Sequence, residues 1–213
     1  ALKWTIFSVS RSSLRVEGRG VAVSEGLVPS ATDYATGTSL PQGVLSFVPD
    51  LKTPIEVLHH GFDPAEWPYG EGARDIDVLT VGSGLDSAKA RALKGVDLLI
   101  ATARLMPERS FVAVGLTPGM IPDLPANFTA VGALSPMELA GLYQRAKCYA
   151  QLSVSEGFGC ALAEAMLCGA VPVVSNVGIM PTIAGRTGDV LYRRVYEGLL
   201  DLLRKLLDDQ KLV

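Results

Sequence analysis

The stretch GFGCALAEAMLCGAVPVVSNVGIMPTIAG, residues 157–185, carries a single charged side chain, Glu164. A carboxylate withdrawn from water is costly unless it is paired or hydrogen-bonded. Glu164 therefore either lies on an exposed helix edge or has a partner. Glu156 stands directly before the stretch and is followed by Gly157, Phe158 and Gly159. The unit is two carboxylates with seven residues between them, joined by a glycine-rich turn that opens an apolar helix, FGCALAEAMLC (158–168). Gly169 is placed to stop that helix, and AVPVVS (170–175) reads as a buried strand. A turn of this kind offers backbone N–H groups and the positive end of a helix dipole, which favour an anion such as a phosphate. The whole suits a ligand that carries both phosphate and hydroxyl groups.

The flanking sequence repeats the strand–helix alternation. DVLTVG (77–82), SFVAVG (110–115), NFTAVG (127–132) and CYAQLSV (148–154) read as short buried strands. ALKGVDLLIATARLM (92–106) has helical spacing in Leu93, Val96, Leu99, Ile100 and Ala103. Ser135, Pro136 and Glu138 form a helix start, with serine as N-cap, proline at the first position and glutamate three residues after the cap. The helix MELAGLYQRA follows, and VYEGLLDLLRKLLDD near the C-terminus is amphipathic, with leucines three and four apart. Strands alternating with helices imply right-handed crossovers and an α/β, doubly wound parallel sheet of Rossmann-like form. Ligands bind such sheets at the carboxyl ends of the strands, where the SVSEGFG turn falls.

Composition narrows the function classes. The chain has 213 residues, 48% hydrophobic content and a net charge of -3, enough for one complete core and part of a second. It has no long basic run, so a nucleic-acid partner is not expected. Cys148, Cys160 and Cys168 lie in apolar segments without metal-ligand spacing and read as reduced core thiols of a cytoplasmic protein. No apolar run approaches the roughly 18–20 residues that cross a bilayer. Residues 1–58 are less regular. TIFSVS, VAVSEGLVPS and VLSFV read as short strands, and PIEVLHHGFDPAEWPYGEGARD reads as a strand running into a linker. The opening ALKWTIFSVSRSS has too short an apolar core for a signal peptide, and a start at Ala reads as an internal cut.

Four segments in register resemble the nucleotide-sugar-binding, C-terminal half of a GT-B fold retaining glycosyltransferase of the family 4 type. VLHHGFDPAEW resembles that family's interdomain segment. VLTVGSG with LKGVDLLIAT resembles its strand, loop and Lys-Gly helix. FVAVG, then FTAVGALSPMELAGLYQRAKCYAQLS, follows its next units, and SEGFGCALAEAMLCGAVPVVS is similar to its paired-glutamate motif. The resemblance covers roughly residues 55–192. It implies a hexosyltransferase that takes a nucleotide-diphosphate sugar and delivers the hexose to a glycan, lipid or small-molecule acceptor with retention of configuration.

Roles follow position by position. Lys94 matches the lysine that binds the donor diphosphate, and Glu156 matches the glutamate that contacts the transferred sugar near the reacting carbon. Gly157, Phe158, Gly159 and Cys160 match the turn that approaches sugar and phosphate. Glu164 matches the glutamate that accepts hydrogen bonds from the ribose hydroxyls. Base recognition is expected around Gly132 to Ser135. The resemblance also implies independence of metal ions and other cofactors. It implies a cytoplasmic location with at most peripheral association with a membrane face, since many relatives use lipid-linked acceptors.

Two departures stand out. The family usually has arginine directly after the Val-Gly of the first strand, where this chain has Ser83; Lys89 or Arg91 is the candidate replacement. The family also has an N-terminal acceptor-binding domain, for which residues 1–58 are too few. The expected organisation is therefore 1–58 as the end of that domain plus linker, 59–192 as the donor domain, and 193–213 as the C-terminal amphipathic helix. Such a fragment should bind donor and catalyse poorly.

Other readings carry less. His59 and His60 are adjacent on a strand, point to opposite faces and read as structural. Val81-Gly82-Ser83-Gly84 fails the dinucleotide fingerprint because Ser87 holds its third glycine position. A sugar-nucleotide epimerase on the same architecture, or a non-catalytic module that keeps the fold, remains the alternative.

Overall fold

The computed structural model describes residues 62–209. The strands expected in residues 1–58, and His59 and His60, lie outside the described residues. Six strands form one all-parallel sheet: β1 (Ile76–Val81), β2 (Phe111–Val114), β3 (Phe128–Val131), β4 (Ala146–Gln151), β5 (Val171–Ser175) and β6 (Asp189–Leu191). Their order is β3-β2-β1-β4-β5-β6, so the chain leaves one edge of the sheet and restarts from its middle. Helices α1 (Ala88–Lys94) and α2 (Val96–Arg104) join β1 to β2, and α3 (Pro136–Arg145) crosses from β3 back to β4. Helix α4 (Cys160–Leu167) joins β4 to β5, α5 (Met180–Ala184) joins β5 to β6, and α6 (Tyr196–Asp208) follows β6.

The two-residue period of the strands divides the core into two layers. Val78, Phe111, Ala113, Cys148, Ala150 and Val173 face one layer, filled by Leu99, Ile100 and Ala103 of α2 and Leu199, Leu203 and Leu206 of α6. Their neighbours Leu79, Val112, Val114, Tyr149 and Val174 face the other, filled by Tyr143 of α3, Leu162 and Ala165 of α4, and Met180 and Ala184 of α5. The leucine spacing near the C-terminus is therefore core packing. The helix start expected at Ser135 forms a complete capping box, in which Ser135 Oγ accepts from Glu138 N–H and Glu138 Oε2 accepts from Ser135 N–H at 2.8 Å.

Local readings differ at three places. The segment 92–106 is not one helix; it breaks at Gly95, whose φ of 75° is left-handed, and Leu93 is half exposed. The helix after Glu156 begins at Cys160 rather than Phe158, because Gly159 (φ 84°) is its left-handed N-cap. Helix α5 and strand β6 lie in a sequence whose Pro and Gly content hides any periodicity. Gly169 does stop α4, at φ 92°.

Candidate functional site

The strand order reverses between β1 and β4, and the crevice at their carboxyl ends is the ligand position of doubly wound sheets. Lys94 is the last residue of α1, where a cation complements the helix dipole. The chain then turns at Gly95 against the segment that follows β4. A Cβ on Gly95 would lie 2.4 Å from the Leu152 carbonyl oxygen, so only glycine allows this approach. Val154 N–H donates to the Leu93 carbonyl at 2.8 Å, closing the same contact. These two contacts dock the α1–α2 junction on the loop that carries Glu156, and so bring together side chains 62 residues apart.

Glu156 is 9% exposed and forms an ion pair with the Lys94 ammonium. Gln151 Nε2 and Ser153 Oγ also donate to it, each at 2.8 Å. All three donors converge on Oε1. A carboxylate this far from water is tolerated because it is both paired and hydrogen-bonded. Lys94 keeps about a third of its side chain exposed, and an ammonium has three N–H donors, so it can serve an added anion as well.

Glu164 lies on α4 and accepts a hydrogen bond from the Tyr143 hydroxyl at 3.1 Å. Burial pushes its carboxyl above the ordinary glutamate range, and the Tyr143 bond opposes that shift. Burial also holds the Tyr143 hydroxyl protonated, so it is a fixed donor. The rings of Tyr143 and Tyr149 meet edge to face with centroids 5.7 Å apart, which braces the wall between the two glutamates. Glu164 is thus neither fully buried nor a simple solvent-facing acid.

The turn between the glutamates runs through Gly157, Phe158 and Gly159 into α4. Gly159 is buried against Met180 and is the left-handed N-cap of α4. Cys160 is the first residue of α4. Phe158 stacks on Phe62 of the linker at a centroid distance of 6.0 Å, which ties the turn to the segment entering the domain.

The remaining candidates divide. Ser83 is exposed in the β1–α1 loop at the carboxyl end of β1. Gly132 sits at the carboxyl end of β3, its carbonyl 3.4 Å from Gly115 N. Lys89 is exposed on α1. Arg91 donates to the carbonyls of Leu85 and Asp86 at 2.7 and 2.8 Å, so its guanidinium braces the loop. Asp86 in turn accepts from Thr117 N–H and Oγ1, both at 2.8 Å, and fixes that loop to the one after β2.

Gln151, Ser153, Tyr143 and Arg194 were not singled out by the sequence. The first two stand five and three residues before Glu156, but such spacing means nothing until β4 ends at Gln151. Arg194, between β6 and α6, donates to Leu152 O at 3.0 Å and Ala92 O at 2.5 Å, and lies 3.5 Å from Asp97. It thus clamps both sides of the Lys94–Glu156 contact from behind. Its replacement by alanine strips two carbonyls of a charged donor and is expected to cost about 1–3 kcal/mol. Urea unfolding of wild type and Arg194→Ala measures this.

Asp75 and Asp77 have Asp-x-Asp spacing, which can serve a divalent cation. They lie at the amino end of β1, across the sheet from Glu156, and both are engaged: Asp75 by Arg145 at 2.8 and 2.6 Å, Asp77 by Lys147 at 2.8 Å. Among the described residues no group of three or more His, Cys, Asp or Glu side chains is arranged to hold a metal ion. Cys148 and Cys168 are buried thiols whose pKa is pushed up to about 12 and about 11 by burial, which disfavours the thiolate. No helix among the described residues is long and apolar enough to cross a membrane.

The sequence model of the family described as glycosyl transferases group 1 matches residues 86–213. The chain belongs to that family. The match takes in Lys94, both glutamates and the turn between them. Solved structures with the same fold include sucrose-phosphate synthase from Thermosynechococcus elongatus (TM-score 0.66, 19% identity, 82% of this chain and 49% of that one). They also include HepE from Anabaena in complex with UDP and glucose (TM-score 0.64, 19% identity, 80% and 53%). A third is the C-terminal domain of a glycosyl transferase group 1 family protein, LpcC, from Francisella tularensis (TM-score 0.57, 19% identity, 71% and 90%). At these identities the likeness shows the fold, the Rossmann-like C-terminal half of a GT-B glycosyltransferase. The chain spans about half the length of the sucrose-phosphate synthase and HepE structures. A search of curated protein sequences gives no significant match.

Proposed function

We propose that this chain is the donor-binding half of a retaining hexosyltransferase that uses a nucleotide-diphosphate sugar. The observation that carries the reading is the convergence of Lys94 and Glu156 at the sheet's switch point, beside a glycine turn opening α4. The diphosphate lies against Lys94 and the amino end of α4. These stabilise the negative charge that develops on the leaving group as the bond from the sugar's anomeric carbon to the diphosphate oxygen breaks. That pair of positive groups does the work a metal ion would otherwise do, so the reaction proceeds without one. Glu156, held by three donors as an anion, accepts from a sugar hydroxyl and orients the ring. With its Oε1 so engaged, it acts as an acceptor rather than a nucleophile, which fits front-face attack and retention. Glu164 accepts from the ribose hydroxyls. The acceptor, a glycan or a lipid, approaches from an N-terminal domain, and the protein works in the cytoplasm, at most peripherally at a membrane.

Glu164 gives this reading a pH signature. Ribose hydroxyls donate to the carboxylate form, and burial raises the pH at which that form appears. Donor affinity is therefore expected to fall on acidification through a midpoint above the usual glutamate value. Tyr143→Phe removes the one interaction that lowers this midpoint, so the acid limb moves to higher pH; Glu164→Gln abolishes it. Fluorescence-monitored titration of nucleotide between pH 4 and 8 checks all three.

One observation favours a second reading, a nucleotide-sugar-binding module without turnover. Ser83 replaces the family's arginine, and Arg91 is committed to loop carbonyls instead of a phosphate. Transfer assays on a protein that carries both halves decide: Glu156→Ala lowers activity by orders of magnitude under the first reading and changes nothing measurable under the second.

A further inference from the structure

We propose that Gln151, locked by Tyr149, is a positioning residue that sets the orientation of Glu156 toward the transferred sugar; this rests on the donor-site reading above. The argument is the direction of each hydrogen bond. Tyr149 is fully buried and lies beneath the site on β4. Its hydroxyl donates to Gln151 Oε1 at 2.9 Å, and burial keeps that proton in place. With its oxygen occupied, the amide must turn Nε2 the other way. Nε2 then donates to Glu156 Oε1 at 2.8 Å and to Ser153 Oγ at 3.0 Å. Ser153, accepting from the amide, has its own proton left for Glu156 Oε1 at 2.8 Å. Every proton in the chain points toward one carboxylate oxygen. The opposite amide orientation would set Gln151 Oε1 against that oxygen, two acceptors with no proton between them.

This polarity makes the two oxygens of Glu156 unlike. Oε1 is held by Lys94, Gln151 and Ser153. No described residue donates to Oε2, which makes it the oxygen available to a sugar hydroxyl. The partly exposed Lys94 side chain can shift with the diphosphate it binds, whereas Gln151 and Ser153 are 4% and 0% exposed and anchored in the core. Ser175 holds the backbone of this corner by donating to Ser153 O at 2.6 Å. The orientation of Glu156 thus comes from the core and survives when Lys94 turns to the donor. A glutamine at the end of a buried strand, where its neighbours Ala150 and Leu152 are apolar, has this task as its physical reason.

The test separates positioning from mere support of the fold. Tyr149→Phe/Gln151→Met replaces the hydrogen-bonded pair by apolar groups of similar shape and leaves neither member of that bond stranded, and a thermal melt checks that the sheet is preserved. Wild type and variant are titrated by equilibrium dialysis with UDP, GDP and ADP, and with UDP-glucose, GDP-mannose and ADP-glucose. The variant is expected to bind the bare diphosphate that wild type prefers within about twofold of wild type, and its hexose conjugate about tenfold more weakly. Tyr149→Phe alone, which keeps the amide but frees its orientation, should show a smaller loss in the conjugate only. Equal weakening of both ligands, or of neither, overturns the proposal while leaving the donor site standing. Failure of wild type to bind any of the six overturns the donor-site reading, and this proposal with it.

Discussion

Glu156→Ala is expected to lower the turnover of nucleotide sugar by the two-domain protein about 100- to 1,000-fold, the loss typical when a preorganised charged group is removed from a reacting centre. On the proposed reading the donor KM should change far less, because Lys94, the amino end of α4 and Glu164 would still hold the nucleotide. The substitution also leaves the donors of Gln151 and Ser153 facing an empty position, but that position opens to the crevice and water can enter. The fold is therefore expected to lose only about 1–2 kcal/mol. Glu156→Gln is a sharper probe, since its amide oxygen can still take the three donors that converge on Oε1 while an NH2 group replaces the other oxygen. Steady-state kinetics with radiolabelled donor, paired with thermal melts, separate the two effects.

Gly95→Ala is expected to destabilise the fold strongly at the junction that carries Lys94. Its backbone is left-handed, which alone costs a residue with a Cβ about 1–2 kcal/mol. The new carbon would also lie 2.4 Å from the Leu152 carbonyl oxygen and 2.5 Å from Leu152 Cβ. The neighbour is backbone at the end of β4 and cannot move aside cheaply. A total of about 3 kcal/mol follows, a fall in Tm of roughly 10 °C for a domain of this size. Because this junction delivers Lys94 to Glu156, the surviving folded protein should also bind donor less tightly. A variant that melts like wild type and binds donor equally would mean that the Gly95–Leu152 contact is not what aligns the two loops.

Most of the sheet was legible from the sequence because its strands are short apolar runs, three of which (β1, β2 and β3) run into Gly, and because helical spacing fills the gaps between them. In the candidate site Glu164 stood out as the one charge in an apolar stretch, whereas Lys94 was marked only by the family's Lys-Gly pattern. The break at Gly95 was hidden because helical spacing continues on both sides of it; only the approach of Leu152 explains it. Helix α5 and strand β6 were hidden because Pro181, Gly185 and Gly188 interrupt any period. The supporting residues were the least visible. Gln151, Ser153, Tyr143 and Arg194 act through contacts made by the fold, and no local pattern marks them. Arg91 looked available as a phosphate ligand in sequence, but it is committed to loop carbonyls once the β1–α1 loop closes.

Calorimetric titration of this chain with UDP-, GDP- and ADP-hexoses, with Glu164→Ala alongside, tests the central claim most directly. The account predicts saturable binding of one nucleotide class, weakened about 10- to 100-fold in Glu164→Ala through the lost ribose contacts. Saturable binding that Glu164→Ala leaves unchanged, or no binding of any of the three, would contradict it.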